Sequence, residues 1–225
     1  MEHNMLEQLG FNRKNRDAVS KALGGWNTSG NNQQDIRPLV EIIVLQAISD
    51  VKYGSNAAKL CSIFVENEGK ISNDTRFRNI LLTKLQREYT NIRTTEEHNE
   101  ARLIAFVTFL SSIFHHIRID GRALVALVTP VFGVFGFLAS VAKQSNKREE
   151  IIQCLVMQIQ LHGEELEGLN EKKMAELFCI IRELFLSETT SQLSRLLLLE
   201  IIELRAGNWK LSSDANTYYY DTNSV

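Results

Sequence analysis

A run of twenty residues without a charge, from Ala123 to Ala142, constrains this chain more than any other segment. A run of this length can cross a bilayer, and it is also typical of a helix that neighbouring helices bury on all sides. We favour the buried helix, because Pro130, Gly133 and Gly136 interrupt the run and no aromatic belt flanks it. The surrounding segments are amphipathic and rich in charge, so they need a surface that faces water. The sequence therefore predicts no membrane span.

The rest of the chain has the spacing of helices. Apolar residues recur three and four positions apart, and there are only two prolines, Pro38 and Pro130. After two helices between residues 36 and 65, we expect helices at Asn73–Thr90, Thr95–His116, Arg122–Val141, Lys147–Leu161, Asn170–Leu186 and Thr190–Ala206. Short connections place successive helices side by side and antiparallel. The pattern predicts an all-α fold, a right-handed solenoid of HEAT type with about five antiparallel helix pairs.

Three segments follow from the distribution of glycine and polar residues. We expect residues 1–34 to be a flexible segment with a short helix at Arg16–Leu23, followed by a loop that begins at Gly24. Residues 35–210 form the helical domain, and residues 211–225 form a C-terminal tail.

Charge and cysteine content limit the class of protein. The chain has 27 acidic and 25 basic residues and a net charge of −2, which gives no overall attraction to a nucleic-acid backbone. Cys61, Cys154 and Cys179 are scattered without a C-x-x-C pair, so we expect buried, reduced thiols. The N-terminus lacks the basic start and apolar core of a signal peptide. These features predict a protein of the cytoplasm or nucleus.

No motif predicts catalysis, a cofactor or a metal. The loop from Gly25 to Gly30 has the spacing of a P-loop, but asparagines stand where Lys and Ser/Thr would bind phosphate and magnesium. His115 and His116 are adjacent, so on a helix they point in different directions. The sequence His162-Gly-Glu-Glu lacks the second histidine of a zinc motif, and we expect its glycine to interrupt the helix.

Four stretches resemble one known family. The sequence SRLLLLEIIELRAGNW at 194–209 is similar to the last helix of the middle domain of translation initiation factor 4-gamma, and FRNILLTKLQREY at 77–89 resembles another helix of that domain. The segment Ala126–Phe132, Trp209-Lys210 and the triple tyrosine Tyr218–Tyr220 are similar to one subgroup, the small stand-alone member that partners the histone stem-loop-binding protein.

The resemblance implies a non-enzymatic adaptor in mRNA translation. Its partners would be a DEAD-box RNA helicase and an mRNA-bound protein, the histone stem-loop-binding protein, so that RNA is reached indirectly. The subgroup also implies a homodimer and a location in both cytoplasm and nucleus. Two alternatives stay open: an adaptor for the cap-binding or poly(A)-binding machinery, and a helical-repeat module that binds RNA directly.

The helix after residue 73 contains the first candidate partner-binding residues. Phe77 lies on its apolar side, while Arg76, Lys84 and Arg87 form a basic edge. This edge is either a solvated helix face or a surface for an acidic partner. The resemblance places the helix in the part of the domain that faces the helicase.

The end of the chain contains the second set. Glu200 and Glu203 share one face of the last helix, whereas Arg205 lies on the apolar face and must be paired. Its partner would be the last carbonyls of a helix or a carboxylate such as Glu176 or Glu183. We expect a structural role for Arg205. Trp209 is expected to fold back over the terminal hairpin. The tail residues Tyr218, Tyr219 and Tyr220 either dock on that hairpin or anchor a partner.

Overall fold

The computed structural model describes residue 11 and residues 13–28, 36–68, 76–94, 99–144 and 148–220 of this protein. The chain divides into two compact units, Met1–Leu127 and Val128–Val225. The boundary between the two units lies inside the predicted domain 35–210.

The first unit consists of helices and one small hairpin. Its helices are α1 (Arg13–Thr28), α2 (Arg37–Ala47), α3 (Gly54–Glu66), α4 (Phe77–Thr94) and α5 (Glu100–His116). A 3-10 turn, Val51–Tyr53, links α2 to α3. Helix α2 begins with Pro38 in its first turn, where a proline costs no hydrogen bond. Asn99 caps the start of helix α5, since its side chain accepts the Arg102 backbone N–H at 3.0 Å.

The core of the first unit lies between α3 and α5. Helix α3 contributes alanines at 57 and 58, and α5 contributes Phe106, Phe109 and Phe114, all fully buried. Helix α2 packs against both α3 and α4. Contacts between helices adjacent in sequence, and between alternate helices, are typical of stacked helical pairs.

The second unit repeats this pattern. Its helices are α6 (Val128–Ala142), α7 (Arg148–Leu169), α8 (Glu171–Leu186), α9 (Gln192–Ala206) and α10 (Ser213–Tyr220). Helix α6 packs on α7 and α8, and α9 packs on the same two helices. Side chains of Asn170 and Ser191 cap the starts of α8 and α9. The all-α fold of packed helix pairs predicted from the sequence is confirmed.

The charge-free run forms helix α6 and the turn before it. Among the described residues, Val125–Ala142 is the one stretch with the length and composition to span a bilayer, with a mean hydropathy of 2.1. Half of it is buried, and Val131, Phe135 and Leu138 are fully enclosed. Because α6 packs on α7 and α8, this helix has the contacts of a core helix within its unit.

A hairpin occupies the place where the sequence predicted the start of a helix at Arg122. Strand β1 (Arg118–Ile119) pairs antiparallel with β2 (Arg122–Ala123). Asp120 and Gly121 form the turn with φ angles of 50° and 74°. Asp-Gly favours two successive left-handed residues, the geometry of a tight hairpin turn. Helix α6 therefore begins six residues later than predicted, at Val128.

Other predictions differ from the structure in detail. Helix α1 continues to Thr28, beyond the predicted helix at Arg16–Leu23, so the first part of the predicted loop is helical. The remainder of that loop, residues 29–34, lies outside the described residues. Cys61 and Cys154 are buried as predicted, whereas Cys179 is exposed, because its position on α8 faces away from the core. Burial raises the pKa of the Cys61 thiol.

Candidate functional site

Each unit contains one candidate binding surface. In the first unit, α2 and α4 border a groove of about 480 Å³, lined by Arg37, Val40, Glu41, Asn79, Ile80, Thr83, Lys84 and Arg87. Three of these residues are basic and one is acidic. We call this the basic groove. Arg37 was missed by the sequence analysis, since nothing in the sequence pairs the start of α2 with α4.

Carboxylates hold Lys84 in position at the groove wall. Its Nζ lies 2.6 Å from Oε1 of Glu41 and 3.0 Å from Oε1 of Glu88. Burial lowers the pKa of Lys84, but the hydrogen bonds to the two carboxylates outweigh it and the pKa is raised. Lys84 therefore stays charged with its charge compensated. Arg87, by contrast, has an exposed side chain in the groove lining.

Glu88 is the buried member of this network. It is 3% exposed, and its second oxygen accepts from Nη2 of Arg102 at 2.8 Å. Burial raises the pKa of Glu88, but the hydrogen bonds and charges of Lys84 and Arg102 lower it by more. The net shift of the pKa is downward. The network ties α4 to α2 and α5.

Two residues predicted for this surface lie elsewhere. Arg76 is half-buried just before α4, outside the groove lining, and it acts electrostatically on Glu68. Phe77 is fully buried and stacks on Phe64 with ring centroids 4.8 Å apart. Its packing role is clear, and we leave Phe77 out of the proposed surface. The structure thus brings together Lys84 and Arg87 with Arg37, and it separates Arg76 from them.

In the second unit, Glu167 of α7 organises the end of α9. Arg205 donates to Oε1 of Glu167 from Nη2 at 2.6 Å and from Nε at 2.9 Å. Trp209 donates its indole N–H to Oε2 of Glu167 at 2.7 Å. The Arg205 guanidinium also lies 4.5 Å from the ring centroid of Phe178. Arg205 is thus paired, and its structural role stays a prediction.

A carboxylate partner for Arg205 was expected, but it is neither of the two examples, Glu176 and Glu183. Glu183 is paired with Lys143 at 2.8 Å, and Glu176 is exposed on α8. Glu167 takes their place because α9 packs along α7 and brings its last turn to the last turns of that helix.

The chain reverses sharply after α9. Asn208 and Trp209 both have positive φ angles, 53° and 60°. The N–H of Trp209 donates to the carbonyl of Leu204 at 2.8 Å. A side chain at Gly207 would place its Cβ 2.4 Å from the carbonyl oxygen of Lys210, so glycine is needed there for space. The predicted helix stop at 207–208 is present, with the left-handed conformation at Asn208 and Trp209.

This reversal places Trp209 against Gly163 of α7. A Cβ at Gly163 would lie 2.1 Å from the indole ring. Helix α7 runs through Gly163 to Leu169, so the predicted interruption at this glycine is wrong. The glycine is buried under the ring instead. Trp209 thus covers the terminal helices, as predicted, and its ring meets Phe178 edge-on.

The tyrosine tail forms helix α10, which docks on α9. The hydroxyl of Tyr219 donates to Oε2 of Glu203 at 3.0 Å, and the hydroxyl of Tyr220 donates to Oε1 of Glu200. Gln160 of α7 also donates to Glu200, at 2.6 Å. We call Glu200 and Glu203 the α9 carboxylates. The sequence left two interpretations of the tail open, and the structure has it docked, although Tyr218 remains 68% exposed.

The tail also changes the acidity of its tyrosines. Burial and the hydrogen bond to Glu203 raise the pKa of Tyr219. The hydrogen bond to Glu200, together with burial, raises the pKa of Tyr220. Both phenols therefore stay protonated and act as donors to the carboxylates.

The described part of the chain contains no group of three or more His, Cys, Asp or Glu side chains that could hold a metal ion. The two surfaces offer instead charged and aromatic side chains on rigid helices. Such an arrangement can bind another macromolecule through charge and hydrogen bonding.

Comparison with known proteins places this architecture in a family. Residues 6–208 match the MIF4G domain, a module of translation- and RNA-related adaptor scaffolds that are typically not catalytic. The chain is 37% identical over 187 residues to MIF4G domain-containing protein B of Danio rerio, which covers 83% of each chain. It is 37% and 36% identical, with the same coverage, to the MIF4G domain-containing proteins of Mus musculus and Homo sapiens. The chain therefore belongs to the MIF4G domain family.

Proposed function

We propose that this protein is a non-enzymatic adaptor in mRNA translation that bridges a DEAD-box RNA helicase and an mRNA-bound protein, the histone stem-loop-binding protein. Membership of the MIF4G family supports the adaptor role. The subgroup motifs at 126–132 and 218–220 support the histone-specific partner. A homodimer and a location in cytoplasm and nucleus are part of the same proposal. The net charge of −2 favours contact with RNA through the partners rather than directly.

The basic groove is the observation that carries the helicase half of the proposal. Lys84 is fixed by Glu41 and Glu88, so it is already oriented when a partner arrives. Arg87 is exposed and can meet a carboxylate with two parallel hydrogen bonds. A preformed basic surface on a rigid helix suits an acidic patch of a folded protein. We assign this groove to the helicase.

The end of the second unit supports the other half. Glu203 is exposed, Trp209 is half-exposed, and Tyr218 and Tyr220 expose most of their surface. Tyrosine and tryptophan contribute large contact area at low entropic cost, and they are common at the centres of interfaces. We assign this surface to the mRNA-bound protein.

The experiment begins with affinity purification of the tagged full chain and identification of the bound proteins. Recovery of a DEAD-box helicase together with the histone stem-loop-binding protein is the expected result. The purified helicase is then titrated with wild type, Arg87→Glu and Arg122→Glu. Arg122 is an exposed arginine of the same unit that lies outside the groove, so it controls for the change in net charge.

We expect Arg87→Glu to weaken helicase binding by about tenfold or more, whereas Arg122→Glu leaves it nearly unchanged. Equal effects of the two reversals would place the helicase elsewhere. A parallel titration with single-stranded RNA should detect no binding at moderate salt. RNA binding that weakens steeply with salt would favour a direct RNA-binding module and overturn the adaptor assignment.

A further inference from the structure

Hydrogen bonds from two tyrosines attach helix α10 to the second unit. It has eight residues and none of them is buried. Its hydrogen bonds to α9 join the hydroxyl of Tyr219 to Glu203 and the hydroxyl of Tyr220 to Glu200. A helix this short is marginal on its own in water, so these two hydroxyl–carboxylate hydrogen bonds account for much of its docking.

We propose that Tyr219 and Tyr220 are sites of tyrosine phosphorylation and that their modification releases helix α10 from α9. In the reaction, a tyrosine kinase transfers the γ-phosphoryl group of a nucleoside triphosphate to the phenol oxygen. The new bond joins that oxygen to phosphorus, the bond from phosphorus to the nucleoside diphosphate breaks, and the phenol proton is lost to the kinase.

The release follows from the exchange of a donor for an anion. Each hydroxyl now donates a hydrogen bond to a carboxylate, and the raised pKa of both tyrosines reflects that arrangement. A phosphate ester has lost most of its protons at neutral pH and adds a charge of about −1.5 to −2. It would stand where the phenol oxygen of Tyr219 now lies, 3.0 Å from the nearest carboxylate oxygen of Glu203. Like charges at that distance repel, so the docked position is lost.

The same weak attachment makes the tyrosines accessible to a kinase. Tyr220 is 61% exposed even when α10 is docked. Because α10 buries no residue, its local unfolding costs little free energy and presents an extended segment. Release also uncovers Glu200, which is only 5% exposed beneath Tyr220 and Gln160. That uncovering would regulate partner binding at the α9 carboxylates, a consequence that rests on the proposed function, whereas the release itself does not.

Tyr218 provides a matched control. It is the preceding tyrosine of the same helix, and its contact is with the ring of Tyr219 at 5.1 Å rather than with either carboxylate. Phosphotyrosine is incorporated at 218 or at 219 in the full chain by genetic-code expansion. Amide hydrogen exchange of residues 213–220 is then measured by mass spectrometry at labelling times from milliseconds to seconds.

We expect phosphotyrosine at 219 to reduce the protection of residues 213–220 by about tenfold or more, while phosphotyrosine at 218 has a much smaller effect. Glu203→Gln should restore protection to the form phosphorylated at 219, because the amide removes the repulsion and can donate to the phosphate. Unchanged protection after phosphorylation at 219 would overturn the proposal. So would an equal loss from position 218, which would make the cause helix charge rather than the carboxylate contact. Neither measurement needs a partner, so the adaptor function is tested separately.

Discussion

The indole ring of Trp209 fills the space that a side chain at Gly163 would occupy, since a Cβ there would lie 2.1 Å from the ring. Gly163→Ala should therefore destabilise the second unit by about 2 kcal/mol, because the ring or the helix must shift. Chemical denaturation followed by tryptophan fluorescence measures the loss and also reports a displaced ring.

Gly168→Ala is the control for this prediction. Gly168 lies on the same helix, is exposed, and has no atom within 4 Å of a new Cβ. Alanine is the better helix former, so this variant should be neutral or more stable by up to about 1 kcal/mol. Equal destabilisation by the two substitutions would show that α7 tolerates neither, and that the contact with Trp209 is not the cause.

Glu167 should be worth more to stability than an ordinary surface carboxylate. Glu167→Ala leaves Arg205 and the indole N–H of Trp209 without their acceptor, and we expect a loss of about 2 kcal/mol. Glu183→Ala removes an ion pair with Lys143 whose side chains are 64% and 44% exposed. That variant should change stability by less than about 0.5 kcal/mol. Similar urea midpoints for both variants would contradict the importance of the Glu167 contacts.

The lowered pKa of Glu88 predicts a pH-dependent contribution to stability. Its pKa in the folded chain lies below the unfolded value of 4.5, so the ionised form is favoured by folding. The contribution is complete well above pH 4.5 and is lost as the pH falls through the lower, folded-state pKa. The difference in free energy of unfolding between wild type and Glu88→Gln should therefore shrink on acidification. A difference independent of pH would show that Glu88 does not titrate in this way.

Glu68 gives the opposite sign and serves as the comparison. Burial raises its pKa, so folding disfavours its ionised form despite the hydrogen bond from the Arg78 backbone. The penalty is present above the raised folded-state pKa and is relieved as the pH falls. This relief stabilises wild type as the pH falls. The free energy of unfolding of Glu68→Gln should lack that pH-dependent gain.

Varying the salt concentration should distinguish long-range electrostatic attraction by Arg87 from its short-range contacts in the basic groove. If Arg87 attracts an acidic helicase surface, the association rate of wild type should fall as salt rises, because screening shortens the reach of the charge. Arg87→Glu should associate more slowly at low salt and approach wild type at high salt. Stopped-flow measurement of both proteins over a range of salt tests this. A constant ratio of rates would attribute the role of Arg87 to short-range contact alone.

Local patterns predicted the helices well because each pattern depends on near neighbours in sequence. The apolar spacing located the helices from α2 to α9 within a few residues, apart from the delayed start of α6 and the longer α7. The requirement that Arg205 be paired was also predictable, since an arginine on an apolar helix face needs an acceptor. The Asp120-Gly121 turn also has a sequence signal, the Asp-Gly pair that is typical of tight hairpins. The apolar spacing that follows it favoured a helix start at Arg122 instead.

The candidate sites were harder to predict, because their residues meet only after the helices pack. Arg37 reaches the groove through the contact of α2 with α4, and Glu167 is 38 positions from Arg205. From the sequence, Gly163 was expected to interrupt a helix. In the structure it makes room for the ring of Trp209, which is 46 positions away in sequence. Phe77 was predicted to bind a partner, but its contact with Phe64 makes it part of the core.

The three cysteines can report when each of the two units unfolds locally. Cys61 lies fully enclosed in the first unit and Cys154 lies 6% exposed in the second, while Cys179 is exposed. A thiol reagent should therefore label Cys179 at once and reach the other two only when their units open. Rates of labelling at Cys61 and Cys154, read by mass spectrometry from one sample, would reveal whether the two units open together or independently, without any engineered probe.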